Sequence, residues 1–272
     1  MHRGFAQILS TGVYASIQDR GRLGFEQYGV PKSGFLMKSW INVDCINAIE
    51  FFGTGLAIRF SHSTHLTIFG KGVSVKIDRY IYHNVSVVTV RKGAILKVIK
   101  NEGNIAYLTI EGGWQSEWVM NSYSQMKGIT LYDRLYPKMV IPYIAPITRS
   151  DILVQNHQNV SKTSHHFFAM QGPEFIKYNG LINEIRMTIN PNSNRQAISF
   201  DNCLAGDFPE ILSSYTPIGT IQITTGGKVF ILSNDGQTTG GYFRWGFITQ
   251  SDLEKIYELP IGTEIVITLV SK

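Results

Sequence analysis

Cysteine is scarce in this chain, and that scarcity removes several classes of protein at once. Only Cys45 and Cys203 occur among 272 residues, far apart and without Cys-x-x-Cys spacing. A disulfide framework and a thiolate zinc site are excluded, and two buried free thiols are expected. Long apolar runs are missing too, since no stretch approaches the roughly 18 apolar residues of a membrane helix. The start, Met1-His-Arg-Gly-Phe-Ala-Gln, has no apolar core of signal-peptide length. A cytoplasmic protein with no membrane contact is the expectation. Charge is sparse, at 17% of residues, and the excess of Lys+Arg over Asp+Glu, 25 to 20, is scattered rather than clustered. Nucleic acid is therefore not an expected partner.

What is present is a globular composition, 43% hydrophobic, with β-type patterning. Phe5 to Leu9 and Val13 to Ile17 read as short strands around a Ser10-Thr11-Gly12 turn. Met37 to Phe52 is the best helical candidate of the first half, with apolar Trp40, Ile41, Val43, Ile46 and Ile49. Glu50 near its end reads as an exposed helix-end charge, with a site carboxylate as the alternative. From Leu56 to Ile110 alternation is clear in Leu66-Thr-Ile-Phe, Val73-Ser-Val-Lys-Ile, Val85-Ser-Val-Val-Thr-Val and Ile95-Leu-Lys-Val-Ile. Strands at such short spacing predict a barrel or sandwich. Pro137, Pro142 and Pro146 mark an extended crossing segment. Residues 144–159 have the least pattern and place a boundary between an N-terminal β domain, 1–155, and a C-terminal one, 156–272. His157, His165 and His166 follow, but adjacent histidines on a strand face opposite ways, so no metal site is expected. In the second half, Thr225-Gly-Gly-Lys228 predicts a hairpin, and Ser251-Asp-Leu-Glu254 predicts a capping box. That helix should stop near Leu259, before Pro260, and Glu264 to Val270 should close the chain as a strand. The fold class is mainly β, with few short helices.

Three loops carry candidate chemistry. An apolar run, Val229 to Leu232, leads into Ser233-Asn-Asp-Gly-Gln-Thr-Thr-Gly-Gly-Tyr242. Here Asp235, Gln237, Thr238 and Thr239 offer carboxylate, amide and hydroxyl groups, and glycines permit close approach to a ligand. The plainer alternative is a long connection whose polar side chains satisfy their own backbone. Gln18-Asp-Arg-Gly-Arg-Leu-Gly24 and Gly29-Val-Pro-Lys-Ser-Gly34 form a second pair. They read either as turns with an exposed Asp19–Arg22 ion pair worth about 0–1 kcal/mol, or as a rim presenting Asp19, Arg22 and Ser33 to an anionic or amide ligand.

These loops form a set. Gln18-Asp19-x-Gly21-Arg22-x-Gly24, Gly29-Val30-Pro31-x-Ser33-Gly34, Gly219-x-Ile221-Gln222 and Asp235-x-Gln237-Thr238-Thr239-Gly240-Gly241-Tyr242 occur in this order. The chain thereby resembles the family of the 5-oxoprolinase C subunit, which is also called the biotin-dependent carboxyltransferase or allophanate hydrolase subunit 2 family. The resemblance implies two cyclophilin-like β-barrel domains and work in a complex with the B and A subunits of 5-oxoprolinase. It implies an ATP-hydrolysing lactam hydrolase that opens 5-oxo-L-proline to L-glutamate, with ATP (and magnesium) supplied at the level of the complex. On that reading Asp19 or Asp235 orients a nucleophile or acts as base. Arg22 pairs with a carboxylate or a phosphate. Ser33, Gln222, Gln237, Thr238, Thr239 and Tyr242 bind the substrate, and backbone around Gly240 and Gly241 holds phosphate.

The chain also departs from the family pattern. Phe35-Leu-Met-Lys38 stands where Ala-Met-Asp is usual, and Ser213-Ser-Tyr-Thr216 where Ser-Glu-Gly is usual, so two expected acids are absent. Two alternatives therefore accompany the enzyme: a non-catalytic binding partner of the B subunit, and the carboxyltransferase part of a urea-carboxylase-like system. Against the last, neither Met37-Lys38 nor Met126-Lys127 has the Ala-Met-Lys-Met setting of biotin attachment.

Overall fold

Alternation of inward and outward side chains organises many of the described strands. The computed structural model describes residues 2–41, 44–145, 154–156, 165–175 and 182–270. Two units emerge, one of Met1–Arg22 with Ser33–Ser161 and one of Leu23–Lys32 with Lys162–Lys272. The expected boundary at 155/156 lies in a short strand flanked on both sides by stretches outside the described residues. Val43, Pro146 and His157 also lie outside them.

The first unit holds β1 (His2–Thr11), β2 (Tyr14–Gln18), β3 (Ala48–Phe52), β4 (Leu56–Phe60), β5 (Thr64–Gly70) and β6 (Ser74–Ile77). It continues with β7 (Tyr80–Tyr82), β8 (Val85–Val90), β9 (Ile95–Lys100), β10 (Ile105–Ile110), β11 (Val140–Ala145) and β12 (Val154–Asn156). They form two six-stranded sheets, in the orders β11-β1-β4-β9-β6-β7 and β12-β8-β5-β10-β3-β2. In β5, Thr64, Leu66 and Ile68 are buried while His65, Thr67 and Phe69 are half-buried. Leu66 and Ile68 join Ile8, Ile58, Phe60, Val88, Leu96 and Leu108 in one core. Each such side chain contributes about 1.5–3 kcal/mol on burial. Pro142 sits in β11 at a sheet edge, where its missing N–H costs no ladder bond.

The helix expected over Met37–Phe52 does not form. Lys38–Trp40 is a single 3-10 turn, and Ala48–Phe52 is β3, paired with both β2 and β10. The reason is burial on both faces: Ala48, Ile49, Glu50 and Phe51 are all buried, and β-branched and aromatic residues suit an inner strand. Glu50 is accordingly no exposed charge. Its Oε2 accepts from the Leu36 N–H at 3.1 Å and from the Tyr107 hydroxyl at 2.7 Å, which ties the 35–37 segment to the sheet.

The second unit contains β13 (His166–Gln171), β14 (Glu184–Thr188), β15 (Ala197–Cys203), β16 (Ser214–Tyr215) and β17 (Thr220–Ile223). It ends with β18 (Lys228–Leu232), β19 (Thr239–Gly240), β20 (Phe243–Ile248), α1 (Gln250–Glu258) and β21 (Glu264–Val270). Seven strands make one sheet, β14-β21-β13-β20-β17-β18-β15, and β16 pairs with β19 as a separate ribbon. The 225–228 hairpin forms as expected between β17 and β18, and Gly227 takes φ 75° in its turn. The capping residue differs: Thr249, not Ser251, accepts from the Asp252 N–H. Thr249 and Asp252 repeat the same hydroxyl–acid spacing two residues earlier, and Ser251 lies inside the helix. The helix ends at Leu259, where Pro260 forbids another turn. No helix among the described residues is long and apolar enough to cross a membrane.

Both cysteines are free, but they differ from the expected pair of buried thiols, since Cys203 is exposed. Burial raises the Cys45 thiol to about 11, so only roughly one molecule in a thousand carries its thiolate at pH 8. A maleimide reagent at that pH should label Cys203 quickly and Cys45 only after unfolding, as peptide mass mapping would report.

Candidate functional site

In the first unit the predicted site residues form a buried knot. Asp19, just past β2, accepts at Oδ1 from the Ser122 and Ser124 hydroxyls, both at 2.6 Å, and from the Gly21 N–H at 2.8 Å. Its Oδ2 accepts from the Tyr123 N–H at 2.6 Å. Four donors on one carboxylate make it an anchor for the 122–124 turn and leave little capacity for a substrate proton. Arg22 and Ser33 are fully buried; the Arg22 guanidinium donates to the Ser124 carbonyl, and Ser33 lies near Gln18. The exposed Asp19–Arg22 turn pair and the open rim are therefore both replaced by a packed interior. Gly34 seals it: at φ +85°, an added Cβ would lie 2.7 Å from the Gly21 nitrogen and 2.9 Å from the Asp19 carbonyl oxygen.

In the second unit the recognised residues converge on a polar site. In β17, Ile221 and Ile223 face one side of the sheet, so Thr220 and Gln222 face the other; all four are buried. The β17–β20 register slips at this point, from Ile221↔Gly246 to Gln222↔Arg244. Trp245 is the extra residue of this bulge, and the slip brings Arg244 beside Gln222 on one face. Gln222 Oε1 accepts from Gln237 Nε2 at 3.2 Å. Gly240 lies against both amides, and an added Cβ would come within 2.4 Å of Gln237 Nε2 and 2.8 Å of Gln222 Nε2. That close approach is the use of this glycine.

An arm of the chain, 211–216, is zipped along the same loop. Ile211 N–H donates to the Gly241 carbonyl at 2.8 Å, and Thr216 N–H to the Thr238 carbonyl at 2.9 Å. The Thr216 hydroxyl donates to the Gln237 carbonyl at 3.0 Å, and Ser214 pairs with Gly240 across the ribbon. Gln237 and Thr239 are exposed, Tyr242 is 38% exposed, and Thr238 is buried. Neither Gly240 nor Gly241 takes a left-handed φ. The alternating right- and left-handed backbone of an anion nest is therefore absent at these two residues.

Two ion pairs frame the site. Arg244 grips Glu174 through both Nε, at 2.8 Å to Oε2, and Nη2, to Oε1, and its Nη1 donates to the Tyr215 carbonyl at 3.2 Å. The carboxylate raises the Arg244 guanidinium above the ordinary arginine range, so the cation persists at any working pH. Asp235 is gripped likewise by Arg195, at 2.8 and 3.0 Å, and its N–H donates to the Arg195 carbonyl at 2.8 Å. This aspartate fixes the start of the loop. Glu174, Arg244 and Ser214 were missed from sequence; Glu174 ends Gln171-Gly-Pro-Glu, and Arg244 stands two residues past Tyr242.

Known proteins resemble this chain in sequence and in fold. The carboxyltransferase domain family, subdomains A and B, matches residues 41–268. The 5-oxoprolinase C subunit of Haemophilus influenzae is 26% identical over 292 residues, covering 97% of this chain and 91% of that protein. The protein of the same name from Escherichia coli is 24% identical, covering 95% and 89%. Among solved structures, TTHA0988 superposes with TM-score 0.83 at 16% identity, over 98% of this chain and 56% of that one. This chain thus spans little more than half of TTHA0988, and the likeness concerns the fold.

Proposed function

Because the chain belongs to the carboxyltransferase domain family, subdomains A and B, we propose that it is the C subunit of an ATP-dependent 5-oxoprolinase. In this reading it works with the A and B subunits to open the lactam of 5-oxo-L-proline to L-glutamate. The supporting observation is the correspondence with two 5-oxoprolinase C subunits over nearly the whole chain. The Gln222–Gln237–Gly240 cluster supplies the substrate contacts, with Thr238, Thr239 and Tyr242 around its mouth. Opening an unstrained lactam requires its carbonyl oxygen to become a leaving group, and ATP supplies the phosphoryl group for that. In this reading ATP and its magnesium are supplied at the level of the complex, and no phosphoryl step is assigned to this chain. What these residues contribute is orientation: the Gln222 and Gln237 amides hold the planar amide group, and the 211–216 arm keeps them in register.

Both candidate bases, Asp19 and Asp235, are held in internal contacts. That favours one second reading, a partner of the B subunit without chemistry of its own. ATP-dependent glutamate release from 5-oxoproline separates the two, measured on the chain alone and mixed with the A and B subunits. Release in the mixture only is the expected result. Gln237→Ala combined with Thr238→Ala should then lower kcat/KM at least ~100-fold without moving Tm. Wild-type turnover in that double variant would remove the site assignment. A stable but inactive complex would make the chain a binding partner.

A further inference from the structure

Several sheet edges in this chain are blunted against pairing with another strand. The outer edge of β2 is covered, since Gln125 N–H donates to the Ile17 carbonyl at 2.9 Å and Leu135 N–H to the Ala15 carbonyl at 2.8 Å. β11 contains Pro142, whose carbonyl accepts from the Gln115 N–H, and β14 carries the exposed ions Glu184 and Arg186. β7 has no such protection. It ends its sheet, paired with β6 on one side and with no strand on the other among the described residues. Tyr80 and Ile81 are each 53% exposed, in a three-residue strand that holds no charge.

Backbone and side-chain directions narrow what pairs there. Ile77 and Tyr80 close a two-residue hairpin, and such a closing pair exchanges its hydrogen bonds. Alternation then turns the Ile81 N–H and C=O outward, to the open edge. Tyr80 and Tyr82 lie opposite the buried Ile77 and Val75, so the two rings extend the core face past the edge. Ile81 lies opposite the exposed Lys76 on the outer face. The sequence around this strand reads nearly alike in both directions. Outward from Ile81 come Tyr80 and Tyr82, then Arg79 and His83, then Asp78 and Asn84. Asp78 and Asn84 are left-handed, at φ 50° and 51°, so the strand is bounded in the same way at both ends. Two copies running antiparallel about a two-fold axis at Ile81 therefore match residue for residue. Ile81 exchanges two hydrogen bonds with its counterpart, and each Tyr80 meets the other copy's Tyr82, an aromatic cross-strand pair that favours sheet formation.

We propose that β7 is a self-recognition edge, through which two copies of this chain join their six-stranded sheets into one. The contact is small beside a standard interface, so the dimer is transient and forms at about 10–500 µM. A two-fold contact uses the same edge of both copies, so association stops at the dimer.

Sedimentation equilibrium of the full chain tests this without substrate or other subunits. The mass should rise from 30.6 kDa towards twice that value as concentration increases. Ile81→Pro removes the outward N–H and should weaken the dimer at least ~10-fold. An edge strand tolerates proline, so Tm should hold. Ile81→Lys sets two like charges opposite each other and should weaken the dimer through the side chain alone, which covers a proline variant that fails to fold. The register has its own test, in a background where the exposed Cys203 is replaced by serine. There Ile81→Cys should form a disulfide-linked dimer under copper phenanthroline, because directly opposed residues lie within disulfide reach. Lys97→Cys, two strands back from the edge, should not. A monomer throughout the concentration range would overturn the proposal, as would a dimer undiminished in folded Ile81→Lys. Equal cross-linking through Lys97→Cys would overturn it too.

Discussion

Asp19→Ala is expected to destabilise the protein by about 3–5 kcal/mol, the range for removing one member of a buried charged network. Tm should fall by roughly 10 °C in a chain of this size. The deletion strands the Ser122 and Ser124 hydroxyls and the Gly21 and Tyr123 N–H groups, all of which converge on this carboxylate. Asp19→Asn keeps the shape but replaces an acceptor oxygen with a donor nitrogen, and should cost about half as much. Thermal and urea unfolding measure both. A catalytic base predicts the opposite signature: an unchanged Tm with turnover down about 100- to 10,000-fold. That outcome would return Asp19 to the reaction.

Glu174→Ala should cost about 2–4 kcal/mol, because it leaves the Arg244 guanidinium largely buried without its counter-charge. The side chains of Arg244 and Glu174 are 15% and 11% exposed, so solvent recovers only part of the loss. A local effect should accompany the global one. Arg244 also holds the Tyr215 carbonyl, so amide hydrogen exchange in the 211–216 arm should accelerate while the β17–β18 hairpin stays protected. Adding Arg244→Leu to Glu174→Ala should restore much of the stability, since removing both charges leaves no unpaired ion. The exchange rate of the arm should stay high in that double variant, because the contact to Tyr215 is still missing. An arm no faster than wild type would show that the Ile211–Gly241 and Thr216–Thr238 bonds alone secure it.

Neighbouring residues determined much of this protein. Period-two alternation marked β5, β6, β8 and β9, the Gly226-Gly227 pair placed the β17–β18 turn, and Pro260 set the end of α1. Each is a local signal, decided by sterics or side-chain direction within a few residues. The loop motifs also singled out Gln222, Gln237 and Gly240, which the second unit brings together. Their roles were decided by partners distant in the chain. Asp19 is an anchor because a serine 103 residues away reaches it, and Arg244 is clamped by a glutamate 70 residues away. Glu50 and its neighbours became an inner strand because flanking strands buried both faces, which overrode a weak helical period. The bulge at Trp245 has no sequence mark, yet it decides that Gln222 faces Arg244 rather than an indole. Local geometry is legible in order along the chain, whereas the pairing of buried charges and the register of strands exist only once distant segments meet.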